Sequence, residues 1–233
     1  QENLDYFGKL NMEALWDMDS AILFRELVDE FANDHVLKRF TGDIYYEAPR
    51  LKSLFSAMKS EGWDETAIKK AVNEYLEDLP NREEFIYKKA NIKAGIKAGD
   101  PKQKDIDKAH DTMKKLLAAV SEYKNFDKKM KATSRYDYDD MILWVLKAFR
   151  ENEELLRRYQ ERFQYVLVDE FQDTSGSQNE LLRFILNYWE TPNVFVVGDD
   201  DQSIFKFQGA NMKNILDFAN DYVSTLQTVV LKH

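Results

Sequence analysis

Two acidic segments, each directly after a short apolar run, decide the fold predicted for this sequence: YVLVDEFQDT at 165–174 and VFVVGDDDQ at 194–202. Continuous apolar runs rich in β-branched residues, with no polar alternation, are typical of strands buried on both faces of a parallel sheet. A third run of this kind lies at 228–231. Ligands of open parallel sheets bind beyond the carboxyl ends of the strands. We therefore expect both acidic segments to face one ligand.

The residues between the first two runs predict a crossover helix. Ser177, with Glu180 three residues later, has the pattern of a capping box. Apolar residues then recur at helical spacing: Leu181, Leu182, Ile185, Leu186 and Trp189. The connection is long enough for a right-handed parallel crossover. We predict that residues 135–233 form part of a doubly wound α/β domain.

Residues 1–134 are predicted to be mainly helical. Asp64 is placed to cap one helix, Pro80 ends it, and residues 95–101 break the pattern as a loop. Asp137, Asp139 and Asp140 are predicted to cap another helix that starts near Met141. The apolar stripes of three helices are Ile68, Val72, Tyr75, Leu76 and Leu79; Met113, Leu117 and Val120; and Met141, Ile142, Val145, Leu146 and Phe149.

Composition favours a soluble intracellular protein. The chain has 233 residues, 44% of them hydrophobic and 32% charged, and no cysteine, which excludes disulfides and thiolate metal sites. It shows no secretory leader and no apolar run near the roughly 18 residues that span a membrane. The net charge of −9 argues against nonspecific nucleic-acid binding by the whole surface. Residues 86–132, however, carry 13 Lys against six Asp or Glu, which indicates either a strand-binding face or a solvated lysine-rich surface.

The acidic segments have the side chains that nucleotide hydrolysis requires. A carboxylate at a strand end can hold Mg²⁺ opposite phosphate oxygens, and a second beside it can deprotonate the attacking water. An amide such as Gln202 can contact the γ-phosphate and the water together, because it both donates and accepts. Taken alone, Asp169 and Glu170 could equally begin an ordinary acidic loop.

The longer strings resemble motifs of the UvrD/Rep/PcrA-type superfamily-one DNA helicases. Residues 168–174, VDEFQDT, are similar to motif II, and residues 197–211, VGDDDQSIFKFQGAN, to motif III. Residues 136–141, YDYDDM, are similar to a segment that these helicases carry upstream. The resemblance implies an α/β fold: a partial RecA-like P-loop NTPase domain with a parallel sheet at 135–233, plus a mainly helical insertion subdomain within 1–134.

The resemblance also implies roles for individual residues. Asp169 would bind Mg²⁺, Glu170 would act as general base, and Gln202 would sense the γ-phosphate of ATP. Phe205 and Phe207 would stack on bases of single-stranded DNA, although core packing is the alternative for both. The implied partners are single-stranded DNA or single/double-strand junctions and the rest of the helicase chain, without a membrane, in the bacterial cytoplasm near the nucleoid.

Two features depart from the family pattern. Gln208 stands where family members usually have an arginine, and none of the eight glycines fits the phosphate-binding pattern G-x-x-x-x-G-K-[ST]. We therefore expect a fragment of a longer helicase, without ATPase activity alone. The alternatives are a nucleic-acid or protein binding module that has lost its ATPase, and the helicase subunit of a helicase–nuclease complex. A metal hydrolase using Asp199, Asp200 and Asp201 is a third.

Overall fold

The computed structural model describes residues 11–90, 97–199 and 212–230, which divide into two compact units. The unit that we call the helical unit comprises the described residues of Leu15–Phe55 and Trp63–Arg135. The sheet unit comprises residues 11–14, Ser56–Gly62 and the described residues from Tyr136 onward. Across these described ranges, no helix has the length and apolar character needed to cross a membrane.

Five helices contribute to the helical unit: α1 Asp17–Asp29, α2 Ala48–Ser60, α3 Glu65–Asp78, α4 Gln103–Ser121 and α5 Tyr123–Ala132. The last residues of α2, from Ser56 on, belong to the sheet unit. Helix α3 begins as predicted, because the Asp64 side chain accepts the Ala67 N–H at 2.7 Å. It ends where Pro80 enters a short 3₁₀ turn. The local signals of capping and proline were sufficient for this helix.

The core of the helical unit is largely aromatic. The Phe24 ring stacks on Phe126 with centroids 5.0 Å apart, and Phe55 lies 5.1 Å from Phe126. Tyr123 meets Phe55 edge to face at 5.3 Å. A second cluster, Leu79, Phe85 and Ile106, connects the end of α3 to α4. The second cluster accounts for part of one predicted stripe, because Tyr75 and Leu76 of that stripe pack against it. In the third predicted stripe, Met141 is exposed.

The sheet unit contains four helices and a parallel strand pair. Its helices are α6 Tyr138–Glu151, α7 Glu153–Arg162, α8 Gly176–Leu186 and α9 Met212–Asp221. Strands β1 Glu13–Ala14 and β2 Arg135–Tyr136 form one short sheet; β3 Val166–Val168 and β4 Val194–Val196 form the other. Strands β3 and β4 are parallel, with Val166 opposite Val194 and Val168 opposite Val196. The predicted parallel crossover through α8 is therefore confirmed.

Two predictions about the strands are wrong in the described residues. Leu167 and Phe195 are 77% and 62% exposed, so the pair is covered on one face only. In the predicted third strand, residues 228–230 are not in a strand, and Val229 and Val230 are exposed. An apolar run shows that a segment is hydrophobic. It does not show how many faces of the strand are packed against other residues, or whether the segment pairs with another strand.

The capping box of α8 also lies elsewhere than predicted. Ser175, not Ser177, is the N-cap: its hydroxyl accepts the Gln178 N–H, and the Gln178 side chain accepts the Ser175 N–H at 2.9 Å. Ser177 is buried inside the first turn, and Glu180 lies on the helix beyond it. Both serines have the pattern of a capping box. Ser175 has the extended backbone, with φ −79° and ψ 166°, that an N-cap requires.

A buried ion cluster joins the end of α2 to the start of α6 within the sheet unit. Asp137 caps this helix, as predicted, although the helix starts at Tyr138 rather than near Met141; Asp140 completes a reciprocal capping box with it. Lys59, with a side chain only 3% exposed, lies 2.7 Å from the Asp137 carboxylate and 2.8 Å from that of Asp140. Asp139 does not cap; it accepts a hydrogen bond from the Ser56 hydroxyl at 3.0 Å.

We expect Lys59→Met to destabilise the protein by about 3 kcal/mol at pH 7, because two partly buried carboxylates lose their cation. The loss should shrink on acidification. Burial raises the pKa of Asp140 and the Lys59 ammonium opposes this, so removing the lysine raises that pKa further. A carboxyl whose pKa is higher in the folded state binds its proton more tightly there, and stability then rises as the pH falls.

Urea unfolding at pH 7 and pH 4.5 measures both effects. Lys70→Met is the matched control, because Lys70 is 78% exposed and its pairing with Glu74 is loose, at 3.8 Å. Equal stability losses for the two variants would contradict the role of Lys59.

Candidate active site

Pairing between β3 and β4 continues past the ends of both strands. The Val197 N–H donates to the Val168 carbonyl at 2.8 Å, and the Phe171 N–H donates to the Val197 carbonyl at 2.9 Å. Asp169 and Glu170 therefore leave the sheet at the same edge as Gly198 and Asp199. This is the arrangement expected from the sequence for the first residues of the two acidic segments.

Glu170 has a left-handed backbone, with φ 49° and ψ 47°. Its N–H donates to Asp169 Oδ1 at 2.9 Å, and its carbonyl accepts from Asp173 N at 2.8 Å, opening the 3₁₀ turn Phe171–Asp173. Both acidic side chains are exposed. A residue other than glycine in this region costs about 1–2 kcal/mol, and such residues cluster at functional sites. The turn therefore aims two carboxylates outward from the sheet edge.

Gln172 is the site residue to which the sequence analysis gave no role. It is 2% exposed, its Nε2 donates to Glu170 Oε2 at 2.6 Å, and its Oε1 accepts the Asp199 N–H at 3.0 Å. Gly198 allows this approach, because a Cβ there would lie 2.8 Å from Gln172 Oε1. The sequence signal that could have identified Gln172 is an amide next to acidic residues. An amide both donates and accepts hydrogen bonds, which is the property on which the predicted role of Gln202 rests.

Helices α8 and α9 hold the turn in place. Phe171 is buried and meets Phe218 of α9 edge to face at 5.2 Å. The Thr174 carbonyl accepts from Asn214 Nδ2 at 2.8 Å, and its hydroxyl accepts from Asn179 Nδ2 at 2.8 Å. The outward-facing acids therefore stand on a base that is packed and hydrogen-bonded.

Asp169 is suited to hold Mg²⁺ as a single carboxylate. Its Oδ1 accepts the Glu170 N–H, and its exposed carboxylate has a second oxygen for a cation. In the part of the chain that the structure describes, no three or more His, Asp or Glu side chains form a metal-binding group. Magnesium needs no such group, because one or two carboxylates suffice when phosphates and waters complete its octahedron.

The other predicted site residues, Gln202, Phe205 and Phe207, lie outside the described residues, as do Gln208, Asp200 and Asp201. Part of the lysine-rich stretch is described. Lys124 and Lys69 hold the pKa of Glu65 down to about 2, and Lys129 lies 2.6 Å from Glu30. Some of its charge is therefore paired within the helical unit.

We expect Glu170→Gly to be more stable than Glu170→Ala by about 1 kcal/mol, because glycine adopts the left-handed conformation without steric cost. At an exposed position in the middle of a helix the order should reverse. Lys147 in α6 provides this control: Lys147→Gly should be less stable than Lys147→Ala by about 1 kcal/mol. Urea unfolding of the four variants tests the comparison, and the same order at both positions would contradict it.

Comparison with known proteins identifies the family. Residues 23–223 match the model of the UvrD/REP helicase N-terminal domain. The chain is 37% identical over 138 residues to "ATP-dependent DNA helicase PcrA" of Staphylococcus epidermidis, and 36% identical over 138 residues to the protein of that name from Staphylococcus aureus. Each match covers 59% of this chain and 18% of the relative, so the chain spans less than a fifth of the curated relatives' length. Because the family model matches most of its residues, the chain belongs to the UvrD/REP helicase N-terminal domain family.

Proposed function

We propose that this chain is part of an ATP-dependent DNA helicase or translocase, and that the acidic edge of the β3–β4 pair belongs to its hydrolysis site. One observation carries the proposal: Glu170 and Asp199, from two different strand ends, bind the same Gln172 side chain. The ends of two parallel strands thus converge where α/β proteins bind ligands. Membership of a helicase family, and relatives named as ATP-dependent DNA helicases, support the assignment.

The residues at this edge divide the chemistry between them. Asp169 would hold the magnesium ion of Mg-ATP; when bound, ATP would supply the γ-phosphate and the metal ion would neutralise its charge. Glu170 orients the attacking water and accepts its proton. Gln202, after β4, contacts the γ-phosphate and reports its presence to the DNA-binding residues.

The two halves of the chain have different tasks in this proposal. Residues 135–233 are part of the first RecA-like ATPase domain, and residues 1–134 form a mainly helical region with the insertion subdomain. Phe205 and Phe207 stack on bases of single-stranded DNA, and the net positive charge of residues 86–132 attracts its phosphates. The protein acts in the cytoplasm, on single strands or single/double-strand junctions.

Gln208 favours one alternative, a binding module that has lost its ATPase. Glutamine lacks the permanent charge and the fixed donors of the arginine usual there, so coupling between hydrolysis and DNA would be weakened. The paired acids Asp169 and Glu170 speak against this alternative, because a binding module has no need to keep them. A helicase subunit of a helicase–nuclease complex is compatible with the same site.

In the full-length protein that carries this segment, we expect DNA-stimulated ATP hydrolysis that Glu170→Gln lowers by at least about 100-fold, the usual contribution of a general base. ATP binding, followed with a fluorescent analogue, should persist because the glutamine keeps the shape of the side chain. Glu161→Gln, at an exposed position of α7, is the control and should leave turnover unchanged.

Two results would count against the proposal. Full turnover in Glu170→Gln would show that Glu170 is not the general base. A wild-type full-length protein that binds DNA but hydrolyses no ATP would favour the binding module.

The 233-residue chain alone should show no ATP turnover above background. The sequence contains no G-x-x-x-x-G-K-[ST] segment to hold the β- and γ-phosphates, so the carboxylates have no fixed substrate. A phosphate-release assay with single-stranded DNA measures this. Turnover that disappears in Glu170→Gln would show that the chain is an active ATPase by itself.

A further inference from the structure

We infer that Gln172 is a positioning residue, which holds the Glu170 carboxylate in place and links it to the loop after β4. The inference rests on the proposed role of Glu170 as general base. It goes beyond that role by assigning the residue that orients the base and by specifying that the two strand-end loops act as one unit.

The burial of Gln172 is the first reason. Gln172 is 2% exposed, whereas Glu170, whose carboxylate it binds, is an exposed residue. A carboxylate in water samples several rotamers, and catalysis requires one of them. Because Gln172 is fixed by the protein interior, its 2.6 Å hydrogen bond transfers that order to Glu170 Oε2. The other oxygen, Oε1, is then directed by the same contact.

The chemistry of the amide is the second reason. A carboxylate only accepts hydrogen bonds and a backbone N–H only donates, so the group that joins them must donate on one side and accept on the other. Among side chains of this length only glutamine does both. Glutamate would place a second carboxylate against Glu170, methionine would make neither bond, and asparagine is one methylene too short to keep both distances.

The third reason comes from the opposite side of the contact. Gly198 lies so close that a Cβ there would be 2.8 Å from Gln172 Oε1 and 3.4 Å from its backbone nitrogen. An alanine would push the amide away from the Asp199 N–H without altering Glu170 or Gln172. The absence of a side chain at Gly198 is therefore required for the same contact.

The consequence is mechanical. Any displacement of the loop after β4 pulls on the Asp199 N–H, and through the Gln172 amide it moves the Glu170 carboxylate. Hydrolysis is then possible only when the loop after β3 and the loop after β4 keep the relative position that this contact requires. A misplacement of the base by about 1 Å is enough to lower turnover by about 100-fold.

The contact is tested first in the unaltered 233-residue chain, by NMR. One side-chain amide proton of Gln172 should resonate downfield of those of the exposed Gln164 and exchange slowly with solvent. The Asp199 backbone amide should shift upfield in Gln172→Met. Gln172 amide protons indistinguishable from those of Gln164 would overturn the inference, whether or not any variant folds.

The function of the contact is tested in the full-length protein. Gln172→Met and Gln172→Glu should each lower kcat by about 100-fold and leave KM for ATP within about threefold, because positioning of the base, not nucleotide binding, is lost. Gly198→Ala should lower kcat in the same way. The double variant Gln172→Met with Gly198→Ala should lose no more than Gln172→Met alone, because both changes break one contact.

Gln160→Met is the matched control for a purely structural role. Gln160 is also buried, and its Nε2 donates to the Phe184 carbonyl at 2.7 Å, away from the acidic edge. This variant should lower the melting temperature without lowering kcat. Unchanged kcat in both Gln172 variants would overturn the inference and leave the proposed function standing. Unchanged kcat in Glu170→Gln would instead overturn the proposed function.

Discussion

The candidate site depends on the parallel pairing of β3 with β4 and on its continuation by two hydrogen bonds beyond the strands, from Val197 to Val168 and from Phe171 to Val197. Parallel strands in register end at the same edge, so two acidic segments separated by a complete helix begin side by side. The bonds beyond the strands bring the loops so close that position 198 has no room for a side chain. If the register slipped by one residue, the side chains of one strand would exchange faces and Gln172 would no longer lie against Asp199.

The conformation of Glu170 shows what this arrangement demands of the backbone. The left-handed turn is unfavourable for a glutamate, and in isolation it would relax. It persists because the residues on its carboxyl side are fixed: Phe171 and Gln172 are buried, and Thr174 is bound to both α8 and α9. Strain of this kind persists only where several independent contacts fix the conformation. The exposed carboxylates and the buried residues that support them are therefore neighbours in sequence, within a single six-residue segment.

The sequence was sufficient for two caps in which the deciding interaction is local. Asp64 caps α3 and Asp137 caps α6 through residues three positions away, and both caps were predicted. It was insufficient where partners are distant. Lys59 meets Asp137 across 78 residues, and Gln172 meets Asp199 across 27, distances at which no periodicity carries a signal. The predicted burial of both strand faces was wrong for a related reason. Leu167 and Phe195 are hydrophobic, but their hydrophobicity does not show whether other residues pack over them. The error at α8 was different: two overlapping capping patterns competed, and only the backbone angles of Ser175 decide between them.

The charge of the sheet edge limits what it can bind. Asp169, Glu170, Asp173 and Asp199 all lie at the ends of β3 and β4 or in the turn that follows, within the described residues. A free triphosphate would bring more negative charge to this edge, and at separations of about 4 Å each like-charged pair is repulsive by about 1–4 kcal/mol. A dication between phosphate and carboxylate reverses the sign of that interaction. If this edge is part of the proposed hydrolysis site, it would accept a nucleotide only as its metal complex, and Asp169 would select the complex as well as hold the metal. Gln172 fits the same constraint: an uncharged amide orients Glu170 without adding a further charge to the edge, which neither a lysine nor an acid could do.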